Sequence, residues 1–120
     1  MIWLAVAVGG AAGSLLRYAL GLAANAAGWP WGTWLANVLG SFCIGLFFVW
    51  GKEKWPPQLY LLLTTGLLGG FTTFSTFSLE TVTFFLQGQV ARGAVYALTS
   101  VGVGLAAAFV GMWVGRLQAW

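Results

Sequence analysis

Polar side chains recur at four-residue intervals inside one strongly apolar stretch of the sequence. Thr33, Asn37, Ser41 and Gly45 follow this spacing, so a helix would place them on one face. The amide of Asn37 can donate hydrogen bonds to an anion, because its NH2 group carries two donors. The same amide also suits an interhelical hydrogen bond, and this face taken alone favours that second interpretation.

Two phenylalanines form a second pattern. Phe77, Ser78 and Thr81 lie three, four and seven residues after Phe74, so all four side chains share a helix face. The edge of an aromatic ring is electropositive, and two rings presented edge-on can contact a small dehydrated anion. Ordinary packing explains an isolated pair of phenylalanines better, so the pattern alone leaves both roles open.

Hydroxyls and two charged groups complete the set of side chains with useful chemistry. Tyr96, Ser100 and Gly104 repeat the four-residue spacing, and two hydroxyls one turn apart can pass an ion along or merely bond backbone carbonyls. Glu80 indicates proton or cation coupling, pairing with a base, or a wet vestibule. Arg17 either gives such a vestibule a positive field that gathers anions or reaches the lipid headgroups.

The composition indicates lipid as the solvent around these residues. Of the 120 residues, 60% are hydrophobic and 6% are charged, and the mean hydropathy is +0.89. A soluble domain carries about 25% charged residues and cannot hide so much apolar surface at this size. The net charge of +3 forms no clustered basic stripe, so nucleic acid is not an expected partner.

The residue types present also exclude several kinds of site. The sequence has one cysteine, Cys43, and no histidine, so it can form neither an intramolecular disulfide nor a cysteine- or histidine-based metal site. It contains no spaced pair of acids, phosphate-binding loop or activated nucleophile. An enzyme is therefore not expected.

Four membrane-spanning helices are predicted from the lengths of the apolar stretches, because hydrocarbon about 30 Å thick requires roughly 20 apolar residues per helix. The predicted helices cover about residues 2–24, 32–50, 58–87 and 91–117 of a single domain, residues 1–120. The third stretch contains Gly66, Gly69 and Gly70, followed by a hydroxyl-rich run of weak helix propensity. A break is therefore predicted near residues 69–76.

The basic residues give only a small bias in orientation. Lys52, Lys54 and Arg116 fall on the side of the N-terminus, whereas Arg92 and Arg17 fall on the other. Because basic residues normally mark the cytoplasmic side, this near balance predicts insertion in both orientations and assembly of antiparallel pairs. Four helices are also few to enclose a pathway, so association is expected.

Small residues recur at every fourth position on the first and last predicted helices. The two sets are Gly9, Gly13 and Gly21, with Arg17 in the same register, and Ala107, Gly111 and Gly115. Such faces permit close helix contact, either within one subunit or between two subunits.

Three stretches together resemble the Fluc (CrcB) family of fluoride channels. They are residues 9–18 (GGAAGSLLRY), 32–45 (GTWLANVLGSFCIG) and 66–80 (GLLGGFTTFSTFSLE). The resemblance covers nearly the whole chain in the expected order. It implies an all-α membrane protein that forms an antiparallel, dual-topology homodimer with two fluoride pores. Such a dimer exports fluoride passively from the cytoplasm across the plasma (inner) membrane.

The resemblance also implies roles for individual residues. Asn37 would donate a hydrogen bond in the pore, Phe74 and Phe77 would present ring edges to fluoride, and Tyr96 and Ser100 would continue a polar track. The remaining candidates are Ser78 and Thr81 on the pore face and Arg17 and Glu80 in the vestibule.

One cofactor is implied as well. The family holds a sodium ion at the dimer centre through backbone carbonyls where the third helix breaks, and those positions map to Gly69 and Thr72. Unwound carbonyls inside a membrane are tolerated when they coordinate an ion, so this expectation agrees with the predicted break.

Two other functions are compatible with four membrane helices. Small multidrug or guanidinium exporters are also antiparallel dimers of four-helix chains, but they depend on a glutamate in the first helix, and the first span here contains no acid. A structural subunit that packs on a larger partner through its glycine faces would show no flux when purified alone.

Overall fold

The computed structural model describes residues 1–25 and 29–119. Its elements are α1 (Ile2–Ala24), α2 (Trp31–Gly51), α3 (Pro57–Leu61), a π-helical segment (Leu62–Leu68), α4 (Gly69–Phe71), α5 (Ser75–Leu86) and α6 (Val90–Ala119). The elements from α3 to α5 join into one bent span, Pro57–Leu86. Residues 26–28 and 120 of the predicted domain lie outside the described residues.

Four helices in the described part of the chain are long and apolar enough to cross a membrane. They are Ile2–Ala24, Trp31–Gly51, Pro57–Leu86 and Val90–Leu117. Large apolar side chains such as Leu98, Leu105 and Phe109 are exposed along α6, as expected where lipid covers them instead of a protein core. The chain is therefore an all-helical, multi-pass membrane protein.

The first and third spans pack as a parallel pair. A Cβ atom at Gly66 would lie 2.9 Å from the carbonyl oxygen of Val6, and one at Gly70 would meet the backbone of Gly10. Residue numbers therefore rise in the same direction along the two helices, which makes the pair parallel. A Cβ atom at Gly13 would meet the backbone of the π-helical segment, so the small-residue face of α1 packs within one chain.

The second and fourth spans form another parallel pair. The indole Nε1 of Trp34 donates a hydrogen bond to the hydroxyl of Thr99 at 3.1 Å. Further along both helices, a Cβ atom at Gly111 would meet the backbone of Phe42. The small-residue face of α6 therefore also packs within the chain, against α2.

The close approach at Gly13 can be tested by adding one methyl group. Gly13→Ala is expected to lower the free energy of unfolding by about 1–3 kcal/mol, because the methyl collides with backbone atoms that cannot rotate away. Gly102→Ala is the matched control, since a Cβ atom there has no atom of another described element within 4 Å. Thermal unfolding midpoints in detergent compare the two variants. Equal midpoints would show that α1 and the third span are not packed this closely.

The break in the third span is shorter than the predicted one. It covers residues 72–74, and Gly69–Phe71 remains helical. The reason is that both N–H and Oγ1 of Thr72 donate to the carbonyl of Leu68, each at 2.9 Å, which closes the last turn of α4. Thr73 Oγ1 then accepts the N–H of Thr76 at 3.2 Å, which satisfies a free donor at the start of α5.

A tight turn joins α5 to α6 and sets the two helices antiparallel. Gly88 has φ +77°, a conformation that glycine adopts without steric cost. The N–H of Gln89 donates to the carbonyl of Phe84 at 2.8 Å, closing the end of α5. This turn brings the face of α5 with Glu80 against the face of α6 with Tyr96.

Candidate functional site

Asn37 on α2 bonds both backbone groups of one residue in the break. Its Oδ1 accepts a hydrogen bond from the N–H of Thr73 at 2.8 Å, and its Nδ2 donates to the carbonyl of Thr73 at 3.0 Å. This reciprocal pattern fixes the orientation of the amide, because only its oxygen can accept. The amide replaces helix bonds that Thr73 loses at the break, and one Nδ2 hydrogen remains for another acceptor.

Two carbonyls at the break lose their usual helical donors. In a continuous helix the N–H groups of Thr73 and Thr76 would donate to Gly69 and Thr72. Here those hydrogens are directed at Asn37 Oδ1 and Thr73 Oγ1. The two residues predicted to hold sodium line an open cavity of about 390 Å³. Their freed carbonyls have the oxygen chemistry that a hard cation prefers.

The described residues offer no alternative metal centre built from side chains. No group of three or more His, Cys, Asp and Glu residues lies together within them. A cation at the break would therefore depend on carbonyl oxygens, and the released carbonyls of Gly69 and Thr72 fit that requirement.

Arg17 is bonded to the same break from the side of α1. Its Nε donates to the carbonyl of Gly70 at 3.1 Å. In a continuous helix that carbonyl would accept the N–H of Phe74, so the guanidinium satisfies an acceptor left over by the break. Neither of the roles predicted for Arg17, a field that gathers anions or contact with lipid headgroups, includes this bond.

The cavity of about 390 Å³ brings together four of the predicted pore residues: Asn37, Phe74, Phe77 and Ser100. The ring centroids of Phe74 and Phe77 lie 5.7 Å apart. Phe74 is 77% exposed, so it contributes little to the packing of this chain. Ordinary core packing therefore does not explain its place at the break.

Ser100 has a buried hydroxyl with no hydrogen-bond partner in the described part of the chain. The residue is 8% exposed and lines the same cavity. Most buried polar atoms have a partner, and an unsatisfied one costs about 1–3 kcal/mol. The missing hydrogen bond can be supplied from the cavity that this hydroxyl borders.

Tyr96 is fully buried and is connected to Glu80. Its hydroxyl donates to Glu80 Oε1 at 2.6 Å, and Thr33 Oγ1 donates to Oε2 at 3.0 Å. Each carboxylate oxygen is thus satisfied by a hydroxyl from a different helix. The Tyr96 ring lies 5.5 Å from the ring of Phe77. Tyr96 therefore contacts both the Phe77 ring at the break and the carboxylate of Glu80.

Two of the predicted pore residues have less direct support. The hydroxyl of Thr81 donates to the carbonyl of Phe77 at 2.8 Å, within its own helix. Neither Ser78 nor Thr81 lines the cavity of about 390 Å³. Their roles in the pore remain predictions from the shared helix face.

Thr33 and Thr73 belong to the site but were not predicted as site residues. The four-residue spacing between Thr33 and Asn37 was a signal that could have identified the first of them. The bond between Thr73 and Asn37 uses backbone atoms. No side-chain pattern in the sequence could have indicated it.

Comparison with known proteins identifies the family. A family model described as CrcB-like protein, Camphor Resistance (CrcB), matches residues 4–112. A fluoride-specific ion channel FluC from Rhizobium etli is 48% identical, with 94% of each chain covered. Proteins of the same name from Roseobacter denitrificans and Bordetella avium are each 45% identical, covering 92% and 97% of this chain and 92% and 94% of the relatives. The chain belongs to the CrcB-like family.

Proposed function

We propose that this chain forms a fluoride-selective channel that lets fluoride leave the cytoplasm passively. The observation that carries the proposal is the hydroxyl of Ser100, which has no hydrogen-bond partner among the described residues and is buried beside the cavity that Asn37, Phe74 and Phe77 also line. Bacterial relatives similar to the chain along almost its whole length are named fluoride-specific ion channels, and the bacterial inner membrane is the corresponding location.

The site offers a substitute for the water around fluoride. A narrow apolar pathway strips the ion of its hydration, so donors must replace the lost hydrogen bonds. The remaining Nδ2 hydrogen of Asn37 and the hydroxyl of Ser100 are such donors, and the phenyl rings add electropositive edges. The charge of a larger anion is spread over a larger radius, so the same donors bind it less strongly. This difference favours fluoride.

The exporter interpretation has little support. Exporters of that class require an ionisable glutamate in the first helix, whereas α1 contains no acid. Both carboxylate oxygens of Glu80 accept hydroxyl hydrogen bonds, an arrangement suited to a fixed structural acceptor. The family comparison favours the channel over the exporter.

The direct test is anion efflux from liposomes that contain the purified protein. Liposomes loaded with fluoride or with chloride are diluted into buffer that contains neither of these two anions, and ion-selective electrodes follow release. Fluoride release without chloride release is expected. If verified, folded protein releases no fluoride, the channel proposal fails and the exporter and structural-subunit interpretations remain.

Ser100→Ala separates the functional role of the hydroxyl from a structural one. The variant is expected to keep or slightly raise the unfolding midpoint, because a buried unsatisfied group is removed. Fluoride efflux is expected to fall about three- to fivefold, equivalent to about 1 kcal/mol in the barrier. A lower midpoint with unchanged efflux would contradict this role.

Thr99→Val is the comparison for Ser100→Ala on the same helix. Thr99 accepts the indole hydrogen of Trp34, so its loss leaves that donor unpaired inside the protein. The midpoint is expected to fall while fluoride efflux changes little. Ser100→Ala should therefore lower efflux without lowering the midpoint, whereas Thr99→Val should lower the midpoint without lowering efflux.

The proposed assembly is an antiparallel homodimer with a sodium ion at its centre. The exposed ring of Phe74 and the open cavity beside the break support a second chain completing the pore. The carbonyls of Gly69 and Thr72 from both chains would hold the ion. Protein purified in sodium-free potassium buffers is expected to retain about one sodium ion for every two chains; absence of sodium would contradict this site.

Dual topology accompanies that assembly. Reporters fused to the C-terminus are expected on both membrane faces, because the basic residues balance nearly evenly across the membrane. Reporters found on one face only would contradict the antiparallel arrangement without affecting the assignment of fluoride to the cavity.

A further inference from the structure

A third polar side chain extends the spacing of Tyr96 and Ser100 towards the start of α6. Arg92 precedes Tyr96 by four residues and Ser100 by eight, so the three side chains lie on one face of the helix. Arg92 is exposed, whereas Tyr96 and Ser100 are buried. This face of α6 therefore runs from the orphaned hydroxyl in the cavity to a guanidinium at the protein surface.

Two aromatic rings hold that guanidinium next to the buried tyrosine. Arg92 Cζ lies 6.0 Å from the ring centroid of Trp29 and 5.8 Å from that of Phe84. The same two rings lie 5.4 and 5.9 Å from the ring of Tyr96. Cation–π contacts of this kind restrain the position of a charge, so Arg92 is held near the end of the polar track.

The rings of Trp29 and Phe84 also line a second cavity, of about 340 Å³, together with Glu80. Tyr96 lies between the two cavities, because its ring contacts Phe77 of the first and Phe84 of the second. An anion that passes Tyr96 therefore enters a space with a carboxylate in its wall. A positive charge over the same wall offsets the repulsion that this carboxylate exerts on anions.

We propose that Arg92 is an anion-capture residue at the end of the pathway that lies beyond Tyr96, beside the second cavity. Its guanidinium raises the local concentration of fluoride at the second cavity and offsets the charge of Glu80. This inference rests on the proposed channel function. Arg17 lies at the break, where it is bonded to the carbonyl of Gly70, whereas Arg92 lies beside the second cavity through its contacts with the rings of Trp29 and Phe84.

The test compares three variants in fluoride-loaded liposomes at two ionic strengths set with potassium gluconate. At about 0.01 M the Debye length is about 30 Å, and at about 1 M it is about 3 Å. Arg92→Gln is expected to slow fluoride efflux about fivefold at the lower ionic strength and less than about twofold at the higher one. Arg92→Lys keeps the charge and is expected to restore the wild-type rate.

Arg116→Gln is the matched control, because it removes the same charge from the last turn of α6, away from both cavities. It is expected to leave efflux unchanged at both ionic strengths. The proposal is overturned if Arg92→Gln conducts like wild type, if it is slowed equally at both ionic strengths, or if Arg92→Lys is as slow as Arg92→Gln.

Fluoride efflux from the wild-type protein distinguishes failure of this inference from failure of the proposed function. If the wild-type protein releases no fluoride, the channel assignment fails. If it conducts and Arg92→Gln shows no salt-dependent loss, only the capture role fails. Should Arg92→Gln not purify as folded protein, Arg92→Lys decides the matter: a wild-type rate supports the role of the charge, and lost efflux from folded Arg92→Lys protein overturns it.

Discussion

Asn37→Asp is expected to reduce fluoride efflux at least about 100-fold, a change of about 2.7 kcal/mol in the barrier. The substitution keeps the oxygen that accepts from the N–H of Thr73 but removes the nitrogen that donates to its carbonyl. It also places a negative charge beside the pathway. At an effective dielectric constant of 20, that charge opposes an anion about 4 Å away by about 4 kcal/mol, enough for the expected loss.

The fold should survive this change well enough for the measurement. One of the two bonds to Thr73 persists, because an aspartate oxygen still accepts its N–H. Liposome efflux and the thermal midpoint are measured on the same preparation. Efflux within about threefold of wild type from folded Asn37→Asp protein, less than about 1 kcal/mol in the barrier, would remove Asn37 from the pathway.

Asn25→Asp controls for the chemical change itself. Among the described residues, Asn25 bonds through its Oδ1, which accepts the N–H of Gly32 at 2.6 Å, so an aspartate can keep that bond. Its thermal midpoint is expected to match wild type, whereas that of Asn37→Asp is expected to be lower. This contrast shows whether the lost Nδ2 donor, and not merely an added charge, weakens the break.

The four spans could be predicted because hydrocarbon thickness fixes the length of an apolar helix. Helix ends follow from where glycine, proline and charged residues interrupt the apolar run, and the predicted end of the first helix coincides with α1 at Ala24. The existence of a break followed from the clustered glycines and threonines. Its length did not, because Gly69 and Gly70 stay helical once both donors of Thr72 bond the carbonyl of Leu68.

The site was predictable to a similar degree. Four-residue spacing predicts which side chains share a helix face, since side-chain direction in a helix follows from spacing alone, and Asn37 and Ser100 do line one cavity. Hydrogen bonds to backbone atoms of the break did not follow, because the path of an irregular segment is decided by tertiary packing. The bond from Arg17 to Gly70 is of this kind: the sequence contains the charge but not the carbonyl that it satisfies.

The ring of Phe74 is expected to matter more for fluoride efflux than for the stability of the fold. Phe74→Ile is expected to reduce fluoride efflux about 10- to 100-fold, or about 1.4–2.7 kcal/mol in the barrier. Isoleucine keeps an apolar side chain but has no ring quadrupole and therefore no electropositive edge. Because Phe74 is 77% exposed in the chain, little of the fold depends on its ring, and the protein is expected to remain folded.

Phe109→Ile is the matched control for this substitution. Phe109 is 73% exposed on α6 and does not line the cavity that contains Phe74 and Phe77. The control is expected to conduct at the wild-type rate. If both variants conduct normally, the rings only fill space and the amide and hydroxyl donors alone must replace the hydration of fluoride. If only Phe74→Ile fails, with an unchanged thermal midpoint, the ring edge itself contributes to binding the ion in the pathway.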